Sequence, residues 1–465
     1  QTGVLHYNMK WLNDNLGLQK KRAFIKSLWL QACAYLFVND ILPINIKWSY
    51  PGAMMMRDVN DLHQIFLALG NVTPLQMVSV TVENGVTEAE AVCSYAVGLP
   101  NFGLAANSMF LGVDVGGSTS DILLLARDSQ NNGQPTLFTE SSIRLAAGVF
   151  FNTLNGSGVG SQQFRNALVT FHSGHNTGVN VMNINEISRP ENRNKAPYYL
   201  NCIFDQLKPE EYDQFYQSLA GNARFVFTIP AYVTGGLLFY SGMLIGKALK
   251  TGKLSETLQQ VDILPFGKGG RLFHWLYQAV GQQSTDSYYA ECLNAGIKCI
   301  TSHEVRAVLR SQIAVNSKTE VARGLCEPKQ QFVKSDGLNT EDICGEENVY
   351  FRNGSTREPI AADQTLDGKY FCNPSQFELT ELENFSKFMD MFLNFVCRET
   401  NISSDKEQQM RQDLQDLPGC IANFITGDPE YQKALNAGQA NFPYHQSMIV
   451  TEIAAYLQKM IQQIF

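Results

Sequence analysis

The stretch Phe110-Leu111-Gly112-Val113-Asp114-Val115-Gly116-Gly117-Ser118-Thr119-Ser120-Asp121-Ile122-Leu123-Leu124-Leu125 constrains the fold of this chain more than any other. Its apolar runs, Phe110 to Val113 and Ile122 to Leu125, have the length of buried strands, and the Gly-Gly-Ser-Thr-Ser segment between them predicts a β-hairpin. Gly116 and Gly117 carry no side chain, so backbone N–H groups there can come close to an anion. Ser118 and Thr119 add hydroxyl donors. Asp114 and Asp121 bracket the turn, and two carboxylates beside a phosphate cradle repel the phosphate unless a cation lies between them. A magnesium ion, held by few protein oxygens plus water and the phosphates, meets that requirement. Gly and Asp also form ordinary tight hairpins. The spacing Asp-x-Gly-Gly-x-Thr-x-Asp between two apolar strands sets this one apart.

That spacing resembles the second phosphate-binding loop of the superfamily of actin, the seventy-kilodalton heat-shock chaperones and the sugar kinases, with the bacterial actins as the nearest look-alikes. The resemblance implies an α/β chain with an actin-like (ribonuclease H-like) two-lobed ATPase fold. It implies ATP and magnesium as ligands, with Asp114 and Asp121 at the metal and Gly116, Gly117, Ser118 and Thr119 at the phosphates. Asp114 also belongs to the catalytic set so implied. Hydrolysis would then drive a conformational or assembly switch, with protein partners or self-assembly.

The segments before the hairpin predict alternating helices and strands. Residues 22–38 predict a mostly buried helix broken by Lys26 and Gln31. A strand follows at Ile44 to Ser49, ending at Tyr50-Pro51-Gly52, then a helix near Asp58 to Leu69 and a strand at Gln76 to Val82. A further helix begins at Thr87, where Thr87 and Glu90 form a capping box. Glu88-Ala89-Glu90-Ala91-Val92 is similar to the Glu-x-x-Ala-Ala helix that leads into the family's phosphate hairpin. The family's glutamate positions the attacking water. Motif spacing favours Glu88 for that role; distance before Asp114 suits Glu90 equally. An N-terminal acid favoured by the helix dipole and a cap residue are the plain alternatives.

After the hairpin, Leu137 to Leu145 predicts a strand ending at Ala146-Ala147-Gly148-Val149-Phe150, a small-residue turn that in the family starts a helix at the nucleotide cleft, with Gly148 against the nucleotide. Phe225 to Gly246 carries no charge over 22 residues, a length that could span a bilayer. Its Pro, Gly, Thr, Tyr and Ser content fits a buried strand at Phe225 to Ile229 and a buried helix from about Thr234, so no membrane span is expected. Val261 to Phe266 predicts a strand running into Gly267-Lys268-Gly269-Gly270-Arg271 and a helix. This resembles the family's adenosine-binding loop, with Lys268 splitting the glycines. Gly296 to Ile300 predicts a short strand, and Ser317 to Leu325 a helix similar to the family's closing helix.

The resulting division is 1–109 as a partial first lobe, 110–300 as a second lobe with a variable cap at 152–224 (one helix near Pro209 to Leu219), and 301–326 as the closing helix. Residues 327–377 form an insertion with short strands at Val349 to Phe351 and Lys369 to Phe371. Residues 378–465 are a helical C-terminal region, with helices at Glu378 to Val396, Asp405 to Leu417, Glu430 to Ala437 and Gln446 to Ile464.

A net charge of −8 and no basic block longer than Lys20-Lys21-Arg22 leave nucleic-acid binding without an electrostatic footprint. Ten cysteines occur without a Cys-x-x-Cys or Cys/His cluster, which suits mostly buried thiols in a reducing cytoplasm. The resemblance covers about residues 20–326. The family's first phosphate loop, an Asp-x-Gly turn near the amino end, has no counterpart in residues 1–40, and its cleft lysine has none either. Either the sequence is a piece of a longer chain, or the loop and hydrolysis with it are lost. The second case makes the protein an interaction scaffold, a pseudo-ATPase. A small-molecule kinase is the third reading, but no second Asp stands in a sugar-base motif.

Overall fold

The structure is a computed structural model. It describes residues 15–41, 44–52, 56–70, 80–99, 103–117, 119–128, 133–148, 159–175, 206–222, 224–310, 319–327, 332–335, 342–366, 376–400, 402–415 and 447–464, with a few isolated positions besides.

Strand β5 (Ser108–Val115) is buried along its whole length, which is why it reads as a near-continuous apolar run rather than an alternating one. It forms an antiparallel hairpin with β6 (Ser120–Asp128), which pairs antiparallel with β7 (Gln134–Ile143). On its other side β5 lies parallel to β8 (Gln260–Phe266), and β8 lies parallel to β9 (Arg306–Leu309). β10 (Val333–Lys334) adds to β7 in parallel. The six-stranded mixed sheet therefore runs β10-β7-β6-β5-β8-β9.

Alternate residues of β5 serve opposite faces. Met109, Leu111, Val113 and Val115 face a large core that also takes in α4 (Val159–His175), α5 (Pro209–Asn222), α6 (Thr228–Lys250), α7 (Arg271–Val280), α8 (Gln282–Lys298), α10 (Glu383–Glu399) and α12 (Met448–Ile464). Phe110, Leu123, Leu125, Leu264 and Phe266 face a smaller core under α3 (Glu88–Val97). Helix α9 (Glu320–Cys326) lies on α3 so closely that a Cβ on Gly324 would overlap the carbonyl oxygen of Ala91. The result is a sheet with helices on both faces, an α/β architecture.

Preceding this body are α1 (Asn15–Val38), β1 (Ile44–Ile46), β2 (Ser49–Tyr50), α2 (Met56–Gly70), β3 (Val80–Val82) and β4 (Val86–Thr87). β1 pairs parallel with β3, and β2 with β4. Following it are β11 (Val349–Asn353), β12 (Thr356–Ile360) and β13 (Phe377–Leu379) in a separate antiparallel sheet, and α11 (Ser404–Gln415).

Several expectations are corrected. Phe225 to Ile229 is no strand: a 3-10 turn over Arg224–Phe227 leads into α6 at Thr228. An aromatic and β-branched run buried on all sides has the same pattern in either state. α6 is apolar all round because the protein encloses it. By length and composition the helix could cross a membrane, yet its most apolar window is wholly buried inside the fold. Gly296 to Ile300 belongs to the end of α8 and the turn after it, because Gly296 is the contact point of a helix crossing: a Cβ there would overlap the carbonyl oxygen of Phe239. The strand at that point of the chain is β9.

Helix α1 is present but not mostly buried. Phe24, Leu28, Leu30, Tyr35, Phe37 and Val38 are exposed, while Trp29 and Cys33 face the small core shared with Ile44 and Leu69. Its apolar residues occupy every side, so whichever face packs leaves others in solvent. Glu378 and Leu379, expected to open a helix, belong to β13, and the helix starts at Glu383. The expected strand at Lys369 to Phe371 and helix at Glu430 to Ala437 lie outside the described residues. So do Gln76 to Ser79 of the expected strand that ends as β3.

Candidate functional site

The hairpin tip, the end of β7 and the end of β8 meet at one edge of the sheet. Residue 116 leaves β5 with its N–H donating to the carbonyl of Thr119 at 2.9 Å, which closes the turn. A Cβ on Gly116 would stand 2.8 Å from that same carbonyl oxygen, whereas one on Gly117 would meet nothing within 4 Å. Gly117 therefore borders open space. Ser118 lies outside the described residues. Thr119 is buried at the foot of the turn.

After β7 the chain folds back under the tip. Ala147 N–H donates to the Gly116 carbonyl at 3.1 Å, and Ser120 Oγ donates to the Leu145 carbonyl. Gly148 is pressed so close that a Cβ would overlap the Gly117 carbonyl oxygen. The turn after β8 closes from the other side. Gly267 has φ +68° and ψ 169°, a conformation open essentially to glycine alone. A Cβ there would overlap Oδ1 of Asp114, and one on Gly269 would stand 2.6 Å from the Val115 carbonyl oxygen. Residues 268–270 form a 3-10 turn leading directly into α7, with the Gly270 N–H donating to the Gly267 carbonyl and the Arg271 N–H back into the turn. Four segments that the family resemblance assigns to one cleft (114–121, 147–148, 267–270 and the start of α7) are thus in contact.

Asp114 and Asp121 are direct cross-strand partners in the hairpin. Both are buried, on the face that carries Leu123 and α3. Like charges directly opposite destabilise a ladder unless a proton or cation intervenes. A hydrated divalent cation fits this pair, since such an ion takes one or two carboxylates and fills its remaining positions with water and phosphate. Among the described residues no group of three or more His, Cys, Asp or Glu is arranged to hold a metal by protein ligands alone.

Helix α3 starts beside this pair. Thr87 caps it, accepting the Glu90 N–H at 3.1 Å. The reciprocal half of the capping box is not made: the Glu90 carboxylate is ion-paired with Lys334 of β10. Glu88 is half-buried in the first turn. Of the remaining expected contacts, Lys268 is half-buried beside the turn. Arg271 is turned toward α5: its guanidinium lies 4.3 Å over the Tyr212 ring, donates to the Tyr212 hydroxyl, and faces the Glu320 carboxylate.

Two buried acids near the hairpin escaped the sequence reading. Glu140 of β7 lies opposite Leu123, accepts a hydrogen bond from Thr87, and is faced by Glu90 and Asp121. Burial pushes its carboxyl up to about 7. Asp342 accepts the Ser141 hydroxyl at 2.7 Å, Ser141 in turn meets Tyr240 of α6 at 3.2 Å, and burial raises Asp342 to about 7 as well. The available signal was a glutamate in the middle of the expected strand Leu137 to Leu145; for Asp342 the sequence offers none.

The chain matches no protein-family model and no curated protein.

Proposed function

We propose that this chain carries the phosphate-binding lobe of an actin-like, ribonuclease H-like ATPase fold and binds ATP with magnesium at the β5–β6 hairpin. The observation that carries the reading is the meeting of Gly116–Gly117, Gly148 and Gly267–Gly270 at the carboxyl ends of β5 and β8, beside the opposed Asp114 and Asp121. Ligands of open α/β sheets bind outside the carboxyl ends of the strands. Further support comes from the order β7-β6-β5-β8-β9 with β6 alone antiparallel to the other four, which is the arrangement of a ribonuclease H-like lobe.

In this reading the backbone N–H of Gly117, with Thr119 and Ser118, holds phosphate oxygens; Gly116, expected to share that role, instead keeps its N–H on the Thr119 carbonyl and sets the turn. The start of α7 with Gly267, Lys268, Gly269, Gly270 and Arg271 borders the nucleoside, and Gly148 buttresses the tip. Asp114 and Asp121 hold the hydrated metal, which supplies charge neutralisation on the phosphates. Glu88 and Glu90 of α3 are the two candidates to orient a water, Glu90 being ion-paired with Lys334. Catalysis in such a site is positioning plus charge stabilisation. Closure on the nucleotide would then switch protein partners or self-assembly.

The second reading, a pseudo-ATPase scaffold, is favoured by that same Glu90–Lys334 pair, which ties up one of the two candidate catalytic carboxylates. Calorimetric titration with ATP, with and without magnesium, separates them. Magnesium-dependent binding that Asp114→Asn abolishes without unfolding the protein supports the nucleotide site. Affinity unchanged in that variant sinks the metal assignment, and no binding at all leaves the scaffold.

A further inference from the structure

We infer that Glu346 and Glu452 share one proton and form a pH-sensitive latch that holds the C-terminal helix α12 in the core. Both carboxyls are fully buried, at 0% exposure. Glu346 is well supplied with donors. Its Oε1 accepts the backbone N–H of Glu347 at 2.8 Å and of Asn384 at 2.8 Å, and its Oε2 accepts the N–H of Phe385 at 2.9 Å, at the start of α10. Burial raises the Glu346 carboxyl and these N–H donors at a helix N-terminus oppose the rise, so of the two acids it is the one better able to hold a charge. Glu452, on the second turn of α12, is the opposite case. Neither of its oxygens has a donor among the described residues. The group it faces is Glu346, another acceptor. Two acceptors in contact in a dry core require a proton between them, and the better-solvated partner is the one that stays ionised. Glu452 is therefore the acid and donates to Glu346.

Among the described residues the cation that faces the pair is Lys387, on the Glu346 side, and it is already paired with Glu383. The loop before β11 contributes Cys344 and Glu347, α6 contributes Tyr232, and α12 itself contributes Tyr456. Lys387 and Glu383 of α10 and Cys299 after α8 face Glu346 from the other side, Lys387 being paired with Glu383. Burial drives the Glu452 carboxyl well above its usual range. The pair sits where α12 is fastened: Ser447 Oγ and Ile449 N–H both donate to the Cys344 carbonyl, and Tyr232 donates to the Ile453 carbonyl at 2.9 Å. Losing the proton puts two adjacent negative charges under this joint. The native state binds more protons than the opened state, so α12 is held most firmly at low pH, and its hold weakens as pH rises from the free-carboxyl value of 4.5 toward the raised one.

The test is amide hydrogen exchange of residues 448–460 in the full chain, from about pH 5 to about pH 8, corrected for intrinsic exchange, in wild type and Glu452→Gln. Wild-type protection of α12 falls by up to about tenfold per pH unit. Glu452→Gln, whose amide N–H can donate to Glu346 without titrating, keeps α12 protected with a flat profile. A flat wild-type profile overturns the latch even if Glu452→Gln does not fold, and so does a slope that Glu452→Gln retains.

Discussion

Gly117 and Gly267 both border the hairpin, and they are glycine for different reasons. At Gly267 the backbone itself demands it: φ is positive, and a methyl group would collide with the Asp114 carboxylate. Gly267→Ala is expected to cost on the order of 1–3 kcal/mol from conformation alone. It should also displace Asp114, so magnesium-dependent nucleotide affinity falls with stability. At Gly117 neither constraint applies, since a methyl group there meets open space. Gly117→Ala should leave the denaturation midpoint within about 0.5 kcal/mol of wild type yet weaken ATP binding by narrowing the approach to the N–H groups. A Gly117→Ala protein that binds ATP as well as wild type would mean the tip is not the cradle. Asp342 gives a residue-scale pH prediction. Its folded value lies near 7 against 3.8 when free, so the native state binds the extra proton and stability drops between those limits as pH rises, by up to about 1.4 kcal/mol per unit. Asp342→Asn, which still accepts the Ser141 hydroxyl, should flatten that part of a stability-versus-pH curve.

At the scale of elements, the hairpin and the cap of α3 were legible because each is set by local chemistry. Two apolar runs about a Gly-Gly turn can do little else, and Thr87 lies within one turn of the N–H it accepts. The misreadings share a cause that is not local. Phe225 to Ile229 is apolar because the core encloses nearly all of it, and burial erases the difference between a period of 2 and one of 3.6, while Gly296 to Ile300 ends a helix whose close crossing at Gly296 no local signal marks. Helix α4 (Val159–His175) was hidden by its polar face, and β9 by the exposed Arg306 at its start. Even the site shows the pattern: its glycines and aspartates stood out, while Glu140 and Asp342 became partners only through strands and loops distant in sequence. The crossing of α6 and α8 tests how far such non-local contacts govern the fold. A Cβ on Gly296 would overlap the Phe239 carbonyl oxygen and stand 3.1 Å from Cα of Gly242. Two helix backbones cannot separate there without opening the core around Tyr240 and Leu293. Gly296→Ala is therefore expected to destabilise by about 1–3 kcal/mol, seen as a lower denaturant midpoint with an unchanged slope.

On the scale of the whole molecule, the packing is uneven, and stability should be uneven with it. The sheet from β5 to β8 is enclosed on both faces, with nearly every side chain of β5 and α6 out of solvent. Residues 15–82 are built differently. Their strands are three and two residues long. Among the described residues their apolar contacts form two small clusters, around Trp29, Cys33, Ile44 and Leu69 and around Trp48, Met54 and Val59. Leu16, Phe24, Leu28, Tyr35 and Phe37 stay in water. Parallel pairing normally requires cover on both faces, and two strands alone are marginal. The ties to the main body run through β2–β4, the Trp48 Nε1–H bond to the Glu83 carbonyl at 2.9 Å, and the start of α3. Native-state hydrogen exchange should therefore show residues 15–82 opening at a lower free energy than β5, β6 and β8, as a separate cooperative unit. Trp48→Ala should lower protection across β1, α2 and β3 together while leaving the central sheet at its wild-type value. If both regions instead lose protection in parallel, the two small clusters are energetically continuous with the main core, and α1 and α2 belong to the same folding unit as the phosphate hairpin.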